Sequence, residues 1–109
     1  MSKKITVLVL EPGKEPYVKV IESSLAGLQK EVGGCIQALY PFDDPVALIV
    51  NDEGKLIGLP WNRPLRDSDG FIYDVIVGTC LVVGLTKDNF GALPQELVAK
   101  YTQIFREGF

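Results

Sequence analysis

Residues 5–10 have the sequence ITVLVL, in which every side chain is apolar or β-branched. A strand that is covered on both faces has this composition, whereas a strand with one face in water alternates apolar and polar residues. The stretch therefore predicts a central strand of a sheet. The turn-forming segment EPGKEP (11–16) follows it, and YVKVI (17–21) alternates, so the chain is expected to return antiparallel in a hairpin.

Two segments have the apolar spacing of amphipathic helices. The first helix is expected over residues 24–32, with Ser23 or Ser24 as its cap and Gly33-Gly34 as its left-handed stop. The second helix is expected to begin at Pro94 and to continue to Gly108. Its apolar positions at helical spacing are Leu97, Val98, Tyr101, Ile104 and Phe105.

Strands are also predicted in the middle of the chain. CIQALY (35–40) and VALIV (46–50) are separated by the turn residues PFDDP, and both are rich in apolar residues. NDEGK (51–55) is a turn that leads into LIGL (56–59), so a second hairpin is expected here.

The later apolar segments complete the predicted sheet. FIYDVIVG (71–78) and TCLVVGL (79–85) predict a strand pair or one long strand kinked at Gly78. Strands outnumber helices, and short polar turns connect them. We therefore predict an α+β fold over residues 1–109, a single domain in which two helices pack on a mostly antiparallel sheet.

Charge and hydropathy exclude two classes of protein. No segment approaches the roughly 18 apolar residues that a membrane span requires, so a membrane protein is not expected. The formal net charge is -3, and seven acids stand against three bases between Asp43 and Asp74. A nucleic acid polymer is not an expected partner, because affinity for a polyanion comes mostly from clustered Lys and Arg.

The residue types favour a protein without catalysis. The chain has no histidine, the commonest general base near neutral pH and the commonest zinc ligand. DSDG (67–70) lacks the closing Glu of a calcium loop, and PGK (12–14) lacks the first Gly and the Ser or Thr of a phosphate-binding loop. We predict no cofactor and no metal. Cys35 and Cys80 are expected to be buried, reduced and not bonded to each other, as in a cytosolic protein.

The segment GLPWNRPLRDSDG (58–70) is the first candidate site. Its prolines restrict the backbone, so the side chains between them are expected to stand in a preset loop. Such a loop suits a nucleotide: Trp61 stacks on a base, Asn62 bonds a base edge or ribose hydroxyl, and Arg63 or Arg66 binds a phosphate.

The same segment also has a purely structural interpretation. In that interpretation Trp61 closes one end of the sheet, and Arg66 pairs with Asp67 or Asp69 and so stabilises the turn. The sequence leaves both interpretations open.

The segment YPFDDP (40–45) is the second candidate site. Asp43 or Asp44 is expected to accept hydrogen bonds from ribose hydroxyls or a base amine, with Tyr40 or Phe42 as a stacking wall. A helix cap or an Asx-turn is the structural alternative. In a second copy of the chain, Tyr40, Asp43 or Asp44 would complete the first candidate site across a subunit boundary.

Five segments that cover nearly the whole chain carry a resemblance to a known family. They are EPGKEPY (11–17), LQKEVGG (28–34), YPFDDPVALIVNDEGK (40–55), GLPWNRPLRDSDGFIYDVIVGT (58–79) and NFGALPQELVAKY (89–101). Together they resemble an uncharacterised small domain family of phages, plasmids and gut Gram-positive bacteria, some members of which are fused or adjacent to anti-restriction proteins. The resemblance supplies no catalytic residues. It implies a mobile-element origin and interference with host defence or takeover of a host factor.

Two functions agree with these observations. The first is a non-catalytic protein that sequesters a small nucleotide-like signal, and the second is an inhibitor that binds a host defence or restriction protein through its acidic segment. A hydrolase that uses Asp and Tyr alone is disfavoured, because no proton-transfer pair is placed by the sequence. The apolar stripe of the last helix and a possible exposed edge at VVGL (82–85) favour a homodimer or higher assembly.

Overall fold

A computed structural model describes residues 3–87 and 89–106. These residues form eight strands and two helices. The strands are β1 (Lys4–Leu10), β2 (Tyr17–Glu22), β3 (Ile36–Leu39), β4 (Val46–Asn51), β5 (Trp61–Arg66), β6 (Ile72–Val77), β7 (Cys80–Leu85) and β8 (Phe90–Gly91), and the helices are α1 (Leu25–Val32) and α2 (Gln95–Arg106).

The main sheet is antiparallel throughout and has the order β2-β1-β7-β4-β3, with β8 paired to the end of β7. Strand β1 lies between two neighbours, and its residues from Val7 to Leu10 are all buried. The predicted central strand, the β1–β2 hairpin and the α+β class are therefore confirmed. The predicted strands at 35–40 and 46–50 pair with each other as β3 and β4, whereas the turn at 51–55 leads into no strand, because residues 56–59 form none.

The sheet separates two apolar layers, because successive side chains of each strand point to opposite faces. On one face α1 packs through Leu28 and Val32 on residues such as Val9 and Ile49. The other face is covered by α2, which buries Tyr101 and Phe105, and by strands β5 and β6. None of the described helices is long and apolar enough to cross a membrane.

Strands β5 and β6 form a separate two-stranded sheet, here called the ribbon. The expected pairing of the segments 71–78 and 79–85 is therefore wrong, as is one long kinked strand, because β6 pairs with β5 while β7 enters the main sheet. The expected loop at residues 61–66 is the strand β5. The expected exposed edge at 82–85 is also wrong, since β7 lies between β1 and β4.

Both helices have the predicted termini within the described residues. Ser24 caps α1 by accepting a hydrogen bond from the Gly27 N–H at 3.0 Å, and Gly33 ends it with φ of 80°. Helix α2 follows Pro94 directly, as the missing N–H of proline favours. The predicted end at Gly108 lies outside the described residues.

The two cysteines are free, as predicted, but only Cys80 is buried. Cys35 is exposed between α1 and β3, which corrects the expectation of two buried thiols. Burial raises the pKa of Cys80 to about 12.

We expect a thiol reagent to modify the exposed Cys35 rapidly in the native protein and the buried Cys80 only after unfolding. Mass spectrometry of the peptides identifies the labelled residue, and rapid native labelling of Cys80 would contradict the structure.

Candidate functional site

Arg63 lies inside the protein rather than in a surface loop. Its side chain has 0% exposure, and its guanidinium donates to the backbone carbonyls of Phe105 at 2.9 Å, Glu11 at 3.3 Å and Lys14. Burial lowers the pKa of Arg63. The guanidinium thus joins β5, the segment after β1 and the end of α2, and these bonds occupy donors that a phosphate would require.

Asn62 is equally committed to the fold. Its Nδ2 donates to the carbonyls of Leu10 at 2.9 Å and Gly78 at 2.7 Å, and its Oδ1 accepts from Arg63. The side chain therefore joins the end of β1 to the connection between the ribbon and β7. We assign Asn62 and Arg63 to this buried hydrogen-bond network and not to a ligand surface.

Trp61 and Arg66 remain on the surface, at opposite ends of β5. They are five residue steps, or roughly 16 Å of backbone, apart, which does not favour a mononucleotide site formed by both. Arg66 donates to the Gly70 carbonyl at 2.9 Å, which closes the turn of the ribbon. The structural interpretation had expected Asp67 or Asp69 as the partner of Arg66.

The second candidate segment is held against α2 by Asp44. The carboxylate accepts hydrogen bonds from Lys100 Nζ at 2.6 Å and from the Tyr101 hydroxyl at 2.6 Å. Tyr40 and Asp43 are exposed, and Tyr40 borders a surface hollow with residues of β7 and β8. Tyr40 and Asp43 do not lie against the ribbon. The neighbouring Pro41 and Phe42 do, and together with residues of β5 they line a cavity of about 130 Å³.

The bonds from Lys100 and then from Tyr101 lower the pKa of Asp44. A carboxyl whose pKa is depressed by folding stabilises the protein above its unfolded value of about 4, and this stabilisation disappears as the pH falls through the folded pKa. We expect Asp44→Asn to lower the melting temperature at pH 7 and to have a smaller effect near pH 3. Thermal melts at both values test this, with the exposed Asp43→Asn as control. An equal decrease in melting temperature at pH 7 and near pH 3 would contradict a stabilising role of the charged Asp44 carboxylate.

A cleft of about 240 Å³ lies between the ribbon and the β3 side of the main sheet. It is smaller than the roughly 300 Å³ at which ligand pockets usually begin. At its rim Lys55 pairs with Asp74, and this contact lowers the pKa of Asp74. The lining residues are Gln37, Leu39, Val50, Asn51, Asp52, Lys55, Leu56, Asp74, Val75, Ile76 and Val77.

One side of the ribbon carries mostly apolar side chains. Trp61 pairs with Val77 and Pro64 with Val75, and residues opposite each other or two apart in a strand share a face. Tyr73 lies two residues before Val75, at the register shift between Leu65 and Arg66. Trp61 is 53% exposed and Tyr73 is 56% exposed. We call these five residues the ribbon face.

Further exposed apolar side chains adjoin the ribbon face. Leu56 is 87% exposed and shares the cleft with Val75 and Val77. Phe71 and Ile72, at the turn end of the ribbon, are exposed as well. Exposed apolar side chains that lie close together are typical of interaction sites.

Sequence reasoning found Trp61 and missed the rest of this surface. The segment 71–78 was expected to form a strand because of its high β-branched content, and none of its side chains was selected as a site residue. A usable signal was present: Phe71, Ile72 and Tyr73 are three consecutive apolar residues, so at least one must point to solvent in a two-stranded ribbon.

Residues 5–106 match the family described as a domain of unknown function, DUF3846. The chain belongs to this family. No curated protein matches the chain, and no solved structure matches it either. Among residues 3–87 and 89–106, no three His, Cys, Asp or Glu side chains cluster in a way that would hold a metal ion. In this chain the ribbon face and the cleft are therefore the candidate binding surfaces.

Proposed function

We propose that the protein is a non-catalytic binding domain that docks its ribbon face on another protein. The observation that carries the proposal is the ribbon face itself, in which Trp61 and Tyr73 stand half exposed among apolar side chains, with Arg66 at the turn end of the same side. Aromatic side chains of this kind supply most of the binding energy in many interfaces.

The charges around the ribbon face indicate the chemistry of the partner. Asp67 and Asp69 occupy the turn at one end of the ribbon, and Asp52 and Glu53 lie beside the cleft. All four are exposed and outnumber the exposed bases Arg66 and Lys55 beside them, whereas Arg63 contributes no surface charge because it is buried. The partner then has an apolar patch bordered by Lys and Arg, and its association depends on salt.

The family resemblance extends this proposal to a biological setting. A mobile-element protein that acts in the host cytosol against host defence would use such a surface to block a defence or restriction protein. Sequestration of a small nucleotide-like signal is the competing proposal. It has less support, because Asn62 and Arg63 are bonded internally and Trp61 lies far from Arg66.

A photo-crosslinking amino acid at position 73 tests the proposal in host cells. We expect one host protein to be captured from position 73 and from position 61, and not from position 18 on β2, which is similarly exposed. With the captured protein purified, Trp61→Ser and Tyr73→Ser are each expected to weaken binding by about tenfold to a hundredfold. The matched control Val18→Ser should leave the affinity unchanged.

Three results would overturn the proposal. One is equal capture from positions 18 and 73, and another is unchanged affinity in both aromatic variants. The third is release of a nucleotide on heating of the purified protein, together with a rise in melting temperature on its return. That result would instead support sequestration of a small molecule.

A further inference from the structure

Strand β3 is an edge strand whose outward backbone groups have no bonding partner among the described residues. The Asp52 N–H donates to the Cys35 carbonyl at 2.8 Å, which makes this pair a hydrogen-bonded pair of the antiparallel β3–β4 ladder. Such pairs recur at every second residue. The N–H and C=O groups of Ile36 and Ala38 therefore point away from β4, towards the open side of the sheet.

The two edges of the main sheet differ in how they are protected. Edge strands usually carry lysine, proline or other charged residues that prevent pairing with a further strand. Strand β2 follows this rule, with Lys19 and Glu22 within it. The segment 36–40 has the sequence IQALY and carries no charge; a proline flanks each of the two edges, Pro16 before β2 and Pro41 after Tyr40.

We propose that β3 pairs antiparallel with β3 of a second copy of the chain, so that two main sheets join into one. In the register that places Ala38 opposite Ala38 of the second copy, Ile36 lies opposite Tyr40. The outward groups of these residues form about six backbone hydrogen bonds. The absence of charge means that two identical edges meet without like-charge repulsion.

The exposure of Tyr40 supports the same register. Tyr40 is 61% exposed although it follows a strand whose other residues on that face, Ile36 and Ala38, pack against the α1 layer. Opposite Ile36 of the second copy it forms an aromatic and β-branched pair, a favourable combination across strands. The pairing thus covers an aromatic side chain that the single chain leaves in water.

Light scattering after size exclusion over a concentration series tests the pairing. The wild type is expected to approach twice the chain mass of 12.0 kDa. Ala38→Pro removes an N–H that the single chain does not use, and Tyr40→Glu introduces a charge opposite Ile36. Each is expected to raise the dimer dissociation constant about tenfold or more. The matched controls are Val20→Pro and Val20→Glu, because Val20 has an outward N–H on the protected edge.

A wild type that stays at the single-chain mass up to about 200 µM would overturn the pairing. A dimer that survives Tyr40→Glu in a folded variant, or one that Val20→Glu weakens equally, would do the same. Tyr40→Glu decides the outcome if Ala38→Pro does not fold. Trp61→Ser and Tyr73→Ser are expected to leave the dimer intact, so failure of the pairing and failure of the ribbon-face proposal give different results.

Discussion

Arg63→Met is expected to lower the free energy of unfolding by about 4 kcal/mol. Methionine fills much of the space but donates no hydrogen bond. The carbonyls of Phe105, Glu11 and Lys14 would lose the guanidinium that now bonds them. The Phe105 acceptor is buried and would have neither a donor nor water, and this desolvation is why the loss is large. Urea denaturation followed by circular dichroism measures it.

Arg66→Met is the matched control, since Arg66 lies three residues further along the same strand. Its side chain is exposed and donates to the Gly70 carbonyl at the ribbon turn. We expect a change within about 0.5 to 1 kcal/mol. Arg63→Lys is expected to lower the free energy of unfolding nearly as much as Arg63→Met, because one ammonium group cannot reach acceptors in three directions. Equal stability of Arg63→Met and Arg66→Met would contradict the buried network.

Gly84→Ala is expected to destabilise the protein by about 3 kcal/mol. A Cβ atom at this position would lie well inside 3.0 Å of the Ala92 carbonyl oxygen, closer than any real contact, and that oxygen belongs to backbone that cannot swing away. Gly84 pairs with Val46 on one side and Gly91 on the other. Relief of the clash must therefore disturb β8 or the centre of the main sheet. Thermal and urea denaturation measure the effect.

Gly58→Ala separates this clash from the ordinary cost of replacing glycine. Gly58 has φ of 73°, and a Cβ atom added to it would meet no other atom within 4 Å. Its replacement is expected to cost about 1 kcal/mol, from the left-handed backbone alone. If Gly84→Ala is no more harmful than Gly58→Ala, the close approach of β7 and residue 92 is not a constraint on the sequence.

Most of the fold was predictable because its signals are local. The unbroken apolar run of β1, the Ser24 cap and the position of Pro94 each act within a few residues, so composition and spacing reveal them. The pairing of β6 was not predictable. The composition of residues 71–85 predicts two paired strands or one long strand. No local pattern in these residues indicates that the chain passes from the ribbon to the main sheet at Gly78.

The candidate site was predictable only in part. Trp61 was selected as a surface aromatic residue, and it is one. Asn62 and Arg63 carry polar groups of the same kinds that bind nucleotides, and the sequence offers no way to tell a guanidinium that bonds a phosphate from one that bonds carbonyls. The acidic character of the segment 43–74 was visible from the beginning, but burial of Arg63 makes its surface more acidic than the count suggests.

The sequence alone established the α+β class, both helices, the free thiols and the acidic middle segment, because periodicity, caps and charge are properties of neighbouring residues. Tertiary structure alone decided the role of Arg63. Its carbonyl partners lie 42, 49 and 52 residues away, and only the packed chain brings them to one point. It also decided which apolar side chains stay in water. A strand pattern predicts that one face is buried, but it does not reveal what covers the other, and on the ribbon face the described chain leaves Trp61 and Tyr73 about half exposed.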